Sequence, residues 1–167
     1  MTPTAPAATA VPLGLDTSVF RRVLQEGYGT GAWHGPDLAA AVSDVGHETA
    51  FRRVAPGRHN IAEIAVHHAW FIRSVTAQLT GRTPDAFALD GEEWFEVNAG
   101  TGPNWEEVRA ILAGYQDDLV EAVADIGAGR IASPLAESER FGLVLGITCH
   151  AVYHAGQIQL LKRLLAG

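Results

Sequence analysis

The stretch HAVYHAGQIQLLKRL, residues 150–164, decides the reading of the fold. Its apolar residues recur every three or four positions, which is the period of an α-helix and not of a strand. His150 and His154 stand four apart, so their rings lie one above the other on one helix face. On a helical wheel at about 100° per residue, Leu143, Ile147, His150, His154, Gln157, Leu161 and Leu164 fall on one stripe. The wheel thus predicts two imidazoles in the middle of a core-facing stripe. Burying two polar rings costs free energy unless their nitrogens find partners. One reading is a divalent metal held by two neutral imidazoles. The other is a pair of core histidines bonded to polar side chains or buried water.

Working outward, helical spacing dominates the chain and alternating strand patterns are scarce. Thr17 or Ser18 is expected to cap a first helix to about Gln25, which stops at the glycine-rich Gly27–Gly31. That connector lacks GxGxxG spacing and follows no strand, so it reads as a turn and not a phosphate loop. A short helix is expected over Asp37–Val45, with a further turn over His47–Arg53. Asn60, with Glu63 three residues on, forms a capping-box signature for a long helix to about Leu79. Gly81 and Pro84 end it. Residues 82–103 read as a long loop carrying Trp94 and Phe95, which can wall a pocket or pack in the core. Asn104 and Glu107 repeat the capping box for a helix to about Ile126, and Ser138 can start the last helix. Each long helix is expected to bury one apolar stripe against the others. The fold class is therefore all-α, a four-helix bundle with a short helical excursion between its first two helices. Residues 1–12 read as a disordered tail and 13–167 as one domain.

Bulk composition narrows the function. The chain has 167 residues and a net charge of −7. Its eleven arginines are scattered and Lys162 is the single lysine. Such a chain offers no electrostatic footprint for nucleic acid or an anionic membrane. One cysteine, Cys149, excludes an internal disulfide and suits a reducing compartment. No unbroken apolar run is long enough to cross a bilayer, and the Thr/Ala/Pro-rich start is not a secretory signal. A cytoplasmic location is expected. The di-iron bundle pattern of paired Glu-x-x-His motifs is absent, as are HExxH, GxSxG and CxxC.

A second pair of histidines, His67 and His68, lies within NIAEIAVHHAWF, residues 60–71. On the wheel, Ile61, Ile64, Ala65, Phe71, Ile72, Val75 and Leu79 define an apolar stripe with His68 near its centre. His67 falls on the edge beside Glu63, Ser74 and Gln78. Spacing alone favours His68 as the inward residue, and helix rotation stays open at this point.

With HAVYHAGQIQLLKRL, NIAEIAVHHAWF and AWHGP (residues 32–36) in this order, the chain resembles the DinB/YfiT-like family. The likeness covers nearly everything after the tail. It implies a four-helix bundle that binds a divalent metal through one histidine of the second helix and two of the fourth. By that resemblance the ligands are His67, His150 and His154, with His68 in a slot the family fills with an apolar residue. Nickel or zinc is the expected metal, with iron or manganese as further candidates. Three histidines leave a coordination position open, as in reactive rather than structural sites. The resemblance further implies a metal-dependent transferase or hydrolase, with a low-molecular-weight thiol and a small electrophile as substrates, and a homodimer. A non-catalytic metal-binding module of stress response or interaction is the alternative. Glu63, four residues before His67, and Gln157, on the ligand stripe, are the candidate catalytic residues beside the metal. Glu63 can also serve only as a cap. His34 is a candidate for approaching the site or for capping. Tyr153 is expected to pack, and Cys149 to be a small inert hydrophobe.

Overall fold

A computed structural model describes residues 15–167; the expected tail at residues 1–12 lies outside them. The described residues form six helices: α1 (Thr17–Gly27), α2 (Leu38–Ser43), α3 (His47–Phe51), α4 (Ile61–Thr80), α5 (Trp105–Gly127) and α6 (Glu137–Ala166). The fold is all-helical. Four longer helices make a ring of neighbours, α1 against α6, α6 against α4, α4 against α5 and α5 against α1. The short α2 packs on α6, and α3 on α4 and α5.

The caps explain the boundaries. Asn60 and Glu63 form the expected capping box of α4, and Asn104 and Glu107 that of α5. The first helix is capped one residue earlier than expected. The Asp16 carboxylate accepts from the Ser18 amide at 2.7 Å, so neither Thr17 nor Ser18 is the cap. A carboxylate also complements the positive end of the helix dipole, which a hydroxyl does less well. The last helix begins at Glu137, with Glu139 reaching back to the Ala136 amide at 2.8 Å.

Two of the expected apolar stripes differ from the buried faces. On α6 the buried residues are Val144, Ile147, Thr148, Ala151, His154, Ala155 and Ile158. Leu164 is exposed, and Leu143, His150, Gln157 and Leu161 are half-buried. The face has turned because small residues, not large ones, mark a tight contact between α6 and α1. A Cβ added at Gly27 of α1 would lie 2.9 Å from the Ala151 Cβ and 3.1 Å from the Thr148 carbonyl oxygen. On α4, all nine residues from Ile61 to Ala69 are buried. That half of the helix is enclosed by α3, α5, α6 and the segment before α5, so a one-stripe wheel does not apply to it.

Gly27 is therefore a contact point and not merely a helix stop. Replacing Gly27 with Val should lower stability by about 1–3 kcal/mol, since the wedge meets backbone on the other side. Urea unfolding of the two proteins would measure it, and an unchanged midpoint would show that α1 can back away freely.

Candidate metal centre

The site is assembled at the buried half of α4. Glu63 is almost wholly buried, and its carboxylate gathers four neighbours. Arg53 donates through Nη1 at 2.9 Å and also through Nη2. His59 Nδ1 lies at 3.1 Å, the Val97 amide at 3.2 Å and the Asn60 amide at 3.3 Å. Asn60 in turn donates to the Val97 carbonyl at 2.8 Å. Burial pushes the Glu63 carboxyl up, but the bonds from Arg53, His59, Val97 and Asn60 outweigh it and leave it below the usual range. This carboxylate thus fastens the loop before α5 onto the start of α4.

The fastened loop delivers two groups to His67. The Glu93 carbonyl accepts from His67 Nδ1 at 2.8 Å. Glu93 is held at φ 58°, the one non-glycine residue with positive φ among those described. The left-handed conformation disfavours a side chain with a Cβ, and here it aims a backbone carbonyl at a ring nitrogen. Next to it, Trp94 stacks on His67 with ring centres 3.7 Å apart. Trp94 also stacks on His59 at 3.8 Å and meets His154 edge-on at 6.4 Å. Phe95 turns inward and packs in the core against Phe87.

His67, His150 and His154 meet here. Each offers one ring nitrogen, and these three atoms lie within 4.8 Å of one another. His150 and His154 face each other through Nε2 at 2.9 Å. The Gln157 side-chain oxygen accepts from His154 Nδ1 at 2.6 Å, while Gln157 Nε2 donates to the Tyr153 hydroxyl at 3.0 Å. A carbonyl oxygen only accepts, so Nδ1 carries the proton on both His67 and His154. Their Nε2 atoms therefore carry the lone pairs, which is the tautomer a metal ligand needs. His68 is 1% exposed and stands outside the trio, its Nδ1 2.9 Å from His150 Nδ1. Both histidines of α4 are therefore inward, one toward the trio and one behind it.

Burial keeps these rings uncharged. It pushes His150 down to about 4, with the neighbouring His154 and His67 adding to the shift. It pushes His154 to about 4 as well, against the opposing bond from Gln157. His67 is lowered by burial, partly offset by the Glu93 carbonyl. His68 is pushed well below the ordinary histidine range by burial and by the other rings. An all-imidazole, neutral donor set with two Nδ1 protons already tied down can hold a divalent metal ion.

The remaining candidates sit elsewhere or do something else. His34 Nε2 bonds to the Glu26 carbonyl at 2.7 Å, so it closes the end of α1. Tyr153 and Cys149 are exposed on α6, so neither packs in the core. Two cavities, of about 380 and 280 Å³, are lined by none of the four clustered histidines. Sequence reasoning missed Glu93, because its backbone oxygen and not its side chain reaches the site. It also missed Arg53, ten residues from Glu63 across a turn, and His59, which stands four residues before Glu63 but ahead of the helix cap.

Neutral buried rings make stability depend on pH with a definite sign. Unfolded histidines titrate near 6.5 and the folded pair near 4. Between those values the unfolded chain binds more protons, so stability is full above pH 6.5 and is lost as pH falls toward 4. Metal-free protein should melt at a lower temperature at pH 5 than at pH 7.5. Equal melting temperatures would mean that these rings are not held neutral by the fold.

The comparisons with known proteins agree with this architecture. The DinB superfamily matches residues 32–158. The match opens on the AWHGP stretch and closes just past Gln157, so it contains every residue of the cluster and leaves out α1. No curated protein and no solved structure matches the chain significantly. The match spans well over half of the 167 residues, and the chain belongs to the DinB superfamily.

Proposed function

We propose that the protein binds one divalent metal ion, zinc or nickel, through Nε2 of His67, His150 and His154 and uses it in catalysis. The observation that carries this reading is the pair of carbonyl acceptors, Glu93 O and Gln157 Oε1, on the Nδ1 atoms of two rings whose other nitrogens converge. Three neutral imidazoles would leave a coordination position open, where a bound metal can lower the pKa of water or a thiol. Gln157 holds the His154 tautomer. Trp94 shields the His67 ring and narrows the approach from the loop side. The reaction class that fits an open three-histidine site in this superfamily is transfer or hydrolysis, with a low-molecular-weight thiol and a small electrophile as substrates.

A second reading, a metal-binding module without turnover, is favoured by one observation. Neither of the cavities of about 380 and 280 Å³ is lined by a clustered histidine, and Trp94 lies flat on His67. In either reading a second copy of the chain is the partner proposed for α6, whose outer side carries exposed Leu145, Tyr153, Leu160 and Leu164. Light scattering should give a dimer mass, and Leu160→Glu should shift it to a monomer; a monomeric wild type removes that proposal.

Elemental analysis of protein purified without chelator decides the metal reading. About one ion per chain is expected in wild type, with loss in His67→Ala and His150→Ala. No ion after reconstitution with zinc or nickel would reduce the cluster to hydrogen-bonded core histidines. If metal is present, a panel of thiols and electrophiles separates the two readings. Turnover that disappears in His150→Ala supports the enzyme, and metal without turnover supports the module.

A further inference from the structure

His68 is the fourth imidazole of the cluster, and the metal reading leaves it without a task. It is 1% exposed, sits in mid-α4 with its ring against those of His150 and His154, and is hydrogen-bonded to the trio at one place, Nδ1 to His150 Nδ1 at 2.9 Å. A short approach between two ring nitrogens is a hydrogen bond only if one of them carries a proton and the other does not. The question is which, and the rest of the cluster answers it.

The chain of bonds can be followed from its far end. Gln157 turns its oxygen to His154, because its nitrogen donates to Tyr153. His154 is therefore protonated on Nδ1 and accepts on Nε2. His150 Nε2, 2.9 Å away, must then be the donor of that pair. A neutral His150 with its proton on Nε2 accepts on Nδ1, so His68 donates from its Nδ1. Without metal the protons run His68 to His150 to His154 to Gln157, all in one direction.

We infer that His68 is a positioning residue that sets the tautomer of His150, and that the two rings switch tautomer together when the site fills. The inference rests on the three-histidine reading above. For His150 to present a lone pair from Nε2, its proton has to be on Nδ1. Only an acceptor can face it there, and only His68 does. One proton leaves His150 Nε2 for solvent, one passes from His68 Nδ1 to His150 Nδ1, and one is taken up from solvent at His68 Nε2. The pair gains and loses none overall. His67 and His154 have backbone or amide oxygens that fix a single tautomer. His150 alone is served by a group that can accept as readily as it donates, which suits a ligand that must change its proton between empty and filled states. An apolar residue at position 68 would leave the Nδ1–H of a liganded His150 facing hydrocarbon, an unmet buried donor.

The test is zinc titration with a competing chelator on wild type, His68→Leu and His68→Asn. Leucine fills the space without a polar atom, whereas the Asn side chain has its amide near the Nδ1 position and can either accept or donate. The expected result is roughly a ten- to hundredfold loss of zinc affinity in His68→Leu, the range for removing a ligand's hydrogen-bond partner. His68→Asn should recover most of it. Long-range proton–nitrogen spectra of the imidazoles add a readout that packing alone would not move. His150 should carry its proton on Nε2 without metal and on Nδ1 with zinc, and His68 the reverse. Unchanged affinity in His68→Leu, or a His150 that already shows mixed tautomers in metal-free wild type, overturns the inference. If wild type takes up no zinc the metal reading fails separately, and the metal-free spectra of wild type still decide whether His68 fixes His150.

Discussion

Four imidazoles share one small region of the interior, and their nitrogens cannot all face hydrocarbon. Much of the local structure follows from meeting that demand. His67 and His154 are served by carbonyl oxygens, His150 and His68 by one another. The loop before α5 has to reach α4 because the oxygen for His67 is a backbone atom of that loop. The loop is held in turn by the Glu63 carboxylate, through the Val97 amide, and by Asn60 through the Val97 carbonyl. Arg53 neutralises the buried carboxylate from the far side. Removing one partner from such a network leaves a charge or donor buried and unmet, which costs more than the bond itself contributes. Helix caps, loop and histidine cluster are therefore one connected structure.

Much of this was legible in the residues. The capping boxes at Asn60 and Asn104 place two helix starts to the residue, because the signal is local and chemical. The spacing of His150 and His154 announces a shared face, and both rings reach the cluster. The choice between His67 and His68 was not legible from a wheel. A wheel assumes one buried side, and α4 is surrounded on all sides over its first half. The α6 stripe shows the same limit from the other direction. Counting large residues placed Leu164 inside, whereas α6 meets α1 tightly where Gly27 faces Ala151. Glycine and alanine mark a helix contact by what they lack, and a hydrophobicity pattern does not register an absence. The hydrogen-bond donors and acceptors of the loop were invisible for a simpler reason. Glu93 contributes its main chain, which every residue type possesses.

The cluster's surroundings bear on chemistry as much as the ligands do. Low dielectric around neutral rings raises the cost of any uncompensated charge, and a divalent ion would bring two. The carbonyl oxygens behind His67 and His154 would offset part of that charge through the rings. Trp94, 38% exposed, stands between this interior and solvent, with a ring stacked on either face. His59, one of those rings, is also bonded to Glu63, so the same carboxylate that fastens the loop steadies its outermost aromatic.

The left-handed backbone at Glu93 has a consequence for how relatives can differ in length. A carbonyl aimed by one unusual φ value cannot be supplied by the residue before or after it, since each would point its oxygen elsewhere. From residue 93 to the Val97 anchor, the count of residues is therefore fixed as firmly as in a turn. Upstream, the chain from Gly81 to Glu92 has no such appointment to keep with a histidine. Natural insertions and deletions in this loop should accumulate before residue 93 and be absent between 93 and 97.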